Sequence, residues 1–270
     1  MPYIQKRVMK KRILITNDDG FESAGLLALA QALKSLGQVT IVAPATEKSA
    51  CSHSITVTKP LRFVSVSDDF FKLDDGTPSD CVYLAIETLF EKDKKPDLVI
   101  SGINKGANLG EDITYSGTVG GAMEGVLHGI PSFAISQYYT NSRTMLDELG
   151  YDLAKKVAYD LAKKILGEGF PLSNRHLLNV NIPAIKPSSC KGYKVTKVGN
   201  RHYECGALMN RNPRGEEYYW IGVESLLWEN MDDKDSDIYA INEGYVSITP
   251  IKLDMTAYEQ IKKVEKWIQK

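Results

Sequence analysis

Charge of one sign, paired cysteines and long apolar runs are all missing from this 270-residue chain, and each absence removes a class of protein. The 33 Lys and Arg residues face 34 Asp and Glu, for a formal net charge of −1. There is thus no basic footprint of the kind that sequence-independent nucleic-acid binding needs. The four cysteines, Cys51, Cys81, Cys190 and Cys205, form no Cys-x-x-Cys pair and no zinc-type spacing. Scattered cysteines in a large chain read as reduced thiols, and a cytoplasmic protein is expected. Behind the basic stretch Met1–Arg12 the apolar run is only Ile13–Ile15. That is too short for a signal-peptide core or a membrane-spanning helix, so no membrane association is expected. No Gly-x-Gly-x-x-Gly follows the first strand-like run, which argues against a dinucleotide cofactor. Gly106-x-x-x-Gly110 lacks the Gly-Lys-Ser/Thr ending of a P-loop.

What is present is an alternation of short buried strands and amphipathic helices. Ile13–Thr16 has the length and β-branched content of a buried parallel strand. Leu26, Leu29, Ala30 and Leu33 form a helical apolar stripe, and Val39–Ala43 reads as a second strand, so a right-handed βαβ unit is expected. Residues 55–75 read as shorter strands with turns. Thr77 and Pro78 open a helix carrying Val82, Ala85, Ile86 and Leu89. Asp97–Ser101, Phe133–Ile135 and Leu177–Ile182 read as further strands, with helices over Thr118–His128 and along Leu153, Val157, Leu161 and Ile165. After Pro183 the texture changes, and residues 184–237 lack helical periodicity. A strand at Tyr245–Thr249, ended by Pro250, and a helix on Ala257, Ile261, Val264 and Ile268 close the chain. The expected organisation is an α/β catalytic core over 1–183 and an accessory or oligomerisation region over 184–270.

The chemistry concentrates where strands end. Asn17-Asp18-Asp19-Gly20 follows the first strand, and adjacent acids there would sit at the carboxyl edge of the sheet, where such folds bind ligands. An Asp-Asp-Gly sequence is also an ordinary exposed turn. Burying one unpaired charge costs several kcal/mol, and a cation is the simplest compensation. The loops Glu47–Ser54, Ile103–Asn108 and Tyr115–Gly121 emerge on the same edge of a parallel sheet and bring Ser and Asn oxygens. Hard oxygen ligands suit Mg²⁺ or Mn²⁺. Ser116-Gly117-Thr118 before a helix can offer backbone N–H groups and the helix dipole to a phosphate, and Lys105 a point charge. Taken singly, Ser49 reads as solvated or capping, Asn104 and Asn108 as turn formers, and the glycines as helix-packing residues. Asp18-Asp19 is not the Asp-x-Asp of haloacid-dehalogenase phosphatases. His53 is a candidate acid or base, while His128 and His176 read as structural. A non-catalytic phosphate-binding regulator and a structural oligomer remain open as rivals.

Seven segments occur in a fixed order: Ile13–Gly20; Val42-Ala43-Pro44 with Lys48–Thr56; Gly76–Val82; Ser101–Asn108; Tyr115–Gly125; Asn179–Pro183; and Gly244–Pro250. Together they resemble the SurE family, the survival-protein-E metal-dependent nucleotidases. The resemblance implies a three-layer α/β/α, Rossmann-like core with a C-terminal oligomerisation region. It implies hydrolysis of nucleoside 5′-monophosphates to nucleoside and phosphate, with 3′-monophosphates and short polyphosphate as further family substrates. It also implies one divalent cation per subunit, Mg²⁺ or Mn²⁺, and a homodimer or homotetramer formed partly by exchange of C-terminal segments. The family's metal ligands map onto Asp18, Asp19, Ser49 and Asn104. Asp18 or Asp19 would also act as the proton acceptor, and Asn108, Ser116, Gly117 and Thr118 would hold the substrate phosphate. The chain departs from the family at Ala50, where glycine is common, and at Ser236-Asp237-Ile238, where Thr-Asp-Trp is usual.

Overall fold

The computed structural model describes residues 10–139, 149–202, 207–221, 227–228 and 232–269. Cys205 falls outside them; Cys51, Cys81 and Cys190 are free thiols. In chain order the strands are β1 (Arg12–Thr16), β2 (Gln38–Pro44), β3 (Arg62–Ser67), β4 (Phe70–Asp74), β5 (Leu98–Lys105), β6 (Ser132–Gln137), β7 (His176–Ile182), β8 (Tyr193–Val195), β9 (Arg201–His202), β10 (Ala207–Arg211), β11 (Glu217–Ile221), β12 (Leu227–Trp228) and β13 (Val246–Lys252). The helices are α1 (Ala24–Leu33), α2 (Pro78–Thr88), α3 (Gly117–Leu127), α4 (Asp152–Glu168), α5 (Asp237–Asn242) and α6 (Ile261–Ile268).

One sheet organises the molecule, in the order β3-β4-β2-β1-β5-β6-β7-β13-β8. β1 pairs in parallel with both β2 and β5, and β5 with β6. Its central strands β1, β2, β5 and β6 are buried on both faces, which explains their apolar sequences. Ile13, Ile15, Leu98 and Ile100 meet α1 and α4 on one face, while Leu14 and Val99 meet α2 on the other. Adjacent residues thus serve opposite layers, and the result is a three-layer α/β/α sandwich. Strand order reverses between β1 and β5, so the carboxyl ends of these two strands flank the crevice where open α/β sheets take ligands.

Local signals set the helix starts. Thr77 accepts from the Asp80 N–H while Asp80 accepts from the Thr77 N–H, a complete capping box ahead of Pro78. Ser23 caps α1 and Ser116 caps α3.

The sheet runs past residue 183: β13 lies antiparallel to β7, and β8 adds to its far side. Pro250 does not end this strand as the sequence suggested. β8 accompanies β13 only over residues 246–248, so Pro250 sits where one edge of the strand is free, a position that tolerates the missing N–H. β10 and β11 form a separate antiparallel hairpin, and β9 pairs with β12.

Candidate active site

The turn after β1 is held open by its own polar groups. Asn17 donates from Nδ2 to the Gly20 carbonyl at 3.0 Å and to Ser23 Oγ at 2.7 Å. Gly20 takes φ +95°, which a side chain would resist. Asp18 and Asp19 are thereby presented at the carboxyl edge, beside the N-terminus of α3.

Asp18 is buried, and both its oxygens are engaged by one residue: the Thr118 N–H donates to Oδ2 at 3.0 Å and the Thr118 hydroxyl to Oδ1. Burial pushes its carboxyl above the ordinary value, against the pull of those hydrogen bonds, and Glu47 adds to the rise. Asp19 accepts from the Lys105 N–H at 2.9 Å through Oδ2. Its pKa is raised to about 6, first by burial and then by the charges of Asp18 and Glu47. Among the described residues no basic side chain closes an ion pair with either acid.

The loop after β2 lies across this edge. Lys48 donates its N–H to the Asp18 carbonyl at 2.7 Å. Ser49 is exposed, and its hydroxyl donates to Glu47 Oε1 at 2.7 Å. Asn104 donates Nδ2 to the Gly106 carbonyl at 2.9 Å, which leaves Oδ1 uncommitted. Among the described residues, no cluster of three His, Cys, Asp or Glu side chains could hold a metal. Two carboxylates with a serine hydroxyl and an asparagine carbonyl are the available donor set. That set fits a hard divalent cation: the acids repel each other, are partly desolvated and supply two negative charges.

The phosphate-binding expectation divides on inspection. Of the three N–H groups at the start of α3, that of Ser116 donates to the Asp112 carbonyl and that of Thr118 to Asp18. The Gly117 N–H remains for a ligand. Gly117 has no room for a side chain, because a Cβ there would stand 2.6 Å from Cys51 Sγ and 3.0 Å from Asp18 Oδ2. Asn108 is buried and woven into the sheet: its N–H donates to Asn181 Oδ1, its Nδ2 to Ser136 Oγ, and its carbonyl accepts from Asn179 and Asn181. The sequence reading passed over Glu47, whose only signal was an acid in the loop next to Ser49. His53 sits with Nε2 2.7 Å from Glu124 Oε2.

Residues 13–205 match the family model described as survival protein SurE. Among curated proteins, a 5′-nucleotidase SurE of Sulfurovum sp. (strain NBC37-1) is 56% identical over 261 residues, which is 97% of this chain and 99% of that protein. One of Helicobacter hepaticus (strain ATCC 51449 / 3B1) is 57% identical over 263 residues, covering 96% and 99%. Among solved structures, the SurE protein of Aquifex aeolicus superposes with a TM-score of 0.80 at 43% identity, covering 96% of this chain and all of that one.

Proposed function

The chain belongs to the SurE family, and we propose that it hydrolyses nucleoside 5′-monophosphates with one Mg²⁺ or Mn²⁺ per subunit, held by Asp18, Asp19, Ser49 and Asn104. It is a phosphoric monoester hydrolase of the 5′-nucleotidase type. The observation that carries the metal reading is the pair of adjacent, largely buried carboxylates at the carboxyl edge, tied to the start of α3 by Thr118 and to the Asn104 loop by the Lys105 N–H, with no basic side chain paired to them among the described residues.

Held by Asp18, Asp19, Ser49 and Asn104, a divalent cation would supply Lewis-acid polarisation of the phosphoryl group and a more acidic attacking water. Thr118 fixes the Asp18 carboxylate in one orientation. Asp19 Oδ1, which no group among the described residues engages, takes the proton from the water. The Gly117 N–H and the positive end of α3 receive the phosphate. Thr118 acts on the phosphate through Asp18 rather than by direct contact, and Asn108 acts by fixing the backbone below. Lys105 and Lys48 add positive charge at the rim. Solvent protonates the departing nucleoside oxygen.

The same pocket chemistry extends to 3′-monophosphates and short polyphosphate, whose terminal phosphates present the same oxygens. The working form is a cytoplasmic homodimer or homotetramer, supported by the bare apolar surface of β10, β11 and α6. Among the described residues no helix is long and apolar enough to cross a membrane. The test is phosphate release from a panel of 5′- and 3′-nucleoside monophosphates after EDTA treatment, with Mg²⁺ or Mn²⁺ added back. Release restored only by metal is expected. Undiminished release from EDTA-treated protein contradicts the metal reading, and no release with any ion from folded protein contradicts the enzyme.

A further inference from the structure

The loop that carries Ser49 has little of its own to hold it in place. Thr46, Glu47, Ser49 and Ala50 are exposed, and Ala50 and Ser52 occupy φ +57° and +58°, a region that residues other than glycine enter only when their surroundings demand it. Backbone contacts tie the loop to the catalytic edge: Ser52 donates its N–H to the Tyr115 carbonyl at 2.9 Å and its hydroxyl to the Thr114 carbonyl at 2.5 Å. At Gly120 the loop presses straight onto α3, since a Cβ there would meet the Ser52 carbonyl oxygen at 2.6 Å and His53 Cα at 3.0 Å.

From that point the His53 side chain runs along α3. Its Nε2 reaches Glu124, one turn beyond Gly120 and so farther from the Asp18–Thr118 contact at the start of the helix. Glu124 is 2% exposed. Its second oxygen lies 3.3 Å from His128 Nδ1, and His128 Nε2 lies 3.5 Å from Glu87 on α2. A buried carboxylate is costly without partners; His53 hydrogen-bonds one oxygen, while His128, whose Nδ1 bonds the Glu124 carbonyl at 3.1 Å, lies beside the other. The site is therefore a built anchor, with the buried carboxyl group of α3 seated beside His128 and gripping the loop through His53.

We propose that His53 is a positioning residue, clasped by the buried Glu124 so that the 47–54 loop is preformed for its serine to reach the metal, and that it does not transfer a proton in the reaction. Two observations support this: His53 Nε2 is committed to Glu124, one helical turn past Gly120, and the loop meets α3 at Ser52 and His53, just beyond Ser49. The inference rests on the reading of Asp18, Asp19, Ser49 and Asn104 as the metal site.

The experiment is titration of Mn²⁺ into EDTA-stripped protein, followed by calorimetry, beside the pH profile of kcat at saturating Mn²⁺ with a nucleoside 5′-monophosphate. The variants are His53→Ala, Glu124→Ala, their combination, and His53→Gln, which keeps a donor near the Nε2 position. His53→Ala and Glu124→Ala are each expected to weaken Mn²⁺ binding about tenfold or more, a typical loss for an outer partner of a metal ligand. The double variant is expected to be no weaker than the singles, and His53→Gln to recover most of the affinity. kcat is expected to fall by no more than about threefold, with an unmoved pH profile. Unchanged Mn²⁺ affinity in His53→Ala overturns the proposal. So does a loss of roughly 10²-fold or more in kcat at saturating metal with one limb of the pH profile gone, the mark of a general acid or base. If Glu124→Ala fails to fold, the partly exposed His53 pair of variants carries the test alone. Asp18→Asn separates the two levels: Mn²⁺ binding as in wild type there would refute the metal site itself, whatever His53 does.

Discussion

The carboxyl edge of the sheet and the C-terminal surface solve opposite problems. At the edge, Asp18, Ser116 and Thr118 are buried; Thr118 donates to Asp18 across the sheet and α3, and Ser116 caps α3 by accepting from the Val119 N–H. At the other extreme, every residue of β10 and β11 is exposed, including Tyr219, Trp220 and Ile221. Helix α6 carries Ile261, Val264, Trp267 and Ile268 at helical spacing, and none of them is buried. A two-stranded hairpin is marginal by itself, and an uncovered apolar surface of this kind marks an interaction site. The proposed chemistry is completed by residues of one chain, whereas under the proposed assembly the hairpin and last helix would bury their exposed apolar side chains against another chain.

The comparison is broken most forcefully at the edge. Asp18→Asn is expected to lower nucleotide turnover by roughly 10³-fold while circular dichroism and melting remain those of a folded protein. Turnover near wild type would remove Asp18 from the site. Gly117→Ala is expected to cost about 10²-fold, because the new Cβ must push Cys51 or Asp18 aside and small displacements of catalytic groups are expensive. A crystal structure of that variant with Asp18 unmoved, together with full activity, would contradict this.

The C-terminal surface should behave differently. Trp220→Glu combined with Trp267→Glu is expected to shift the protein to a smaller species in light scattering, with turnover per chain changed by less than about twofold. Turnover that disappears along with assembly would show that the site borrows from a neighbour, and the contrast between the regions would fail.

The smallest effect is on stability. Asp19 holds its proton to about 6, above the ordinary carboxylate value, so the metal-free fold binds more protons than the unfolded chain between about pH 4 and 6. Its contribution is therefore full at low pH and lost as pH rises through that window, by about 3 kcal/mol in total. Asp19→Asn is expected to melt higher than wild type at pH 7 without metal, the gap closing toward pH 4 and reversing when Mn²⁺ is added. Equal melting temperatures at pH 7 would contradict the raised pKa.

Much of this was legible in the chain because of where burial falls. Strands covered on both faces are largely apolar runs, so β1, β2 and β5 could be read from Ile13, Val39 and Leu98 onward. The paired acids were visible because they interrupt such a run at its carboxyl end. Contacts between distant positions were not visible. Thr118 donating to Asp18 spans 100 residues, and His53 meeting Glu124 spans 71. Local sequence suggested a phosphate ligand for the first and an acid or base for the second. Pro250 misled for a similar reason, since whether a strand survives proline depends on what lies beside it.

The most direct test of the account is the stoichiometry of Mn²⁺ binding to EDTA-stripped wild type and Asp18→Asn by calorimetry at pH 7. One ion per chain in the wild type and none at the same concentrations in the variant are expected. No binding by the wild type, or equal binding by both, would contradict the claim that the paired carboxylates after β1 hold the catalytic cation.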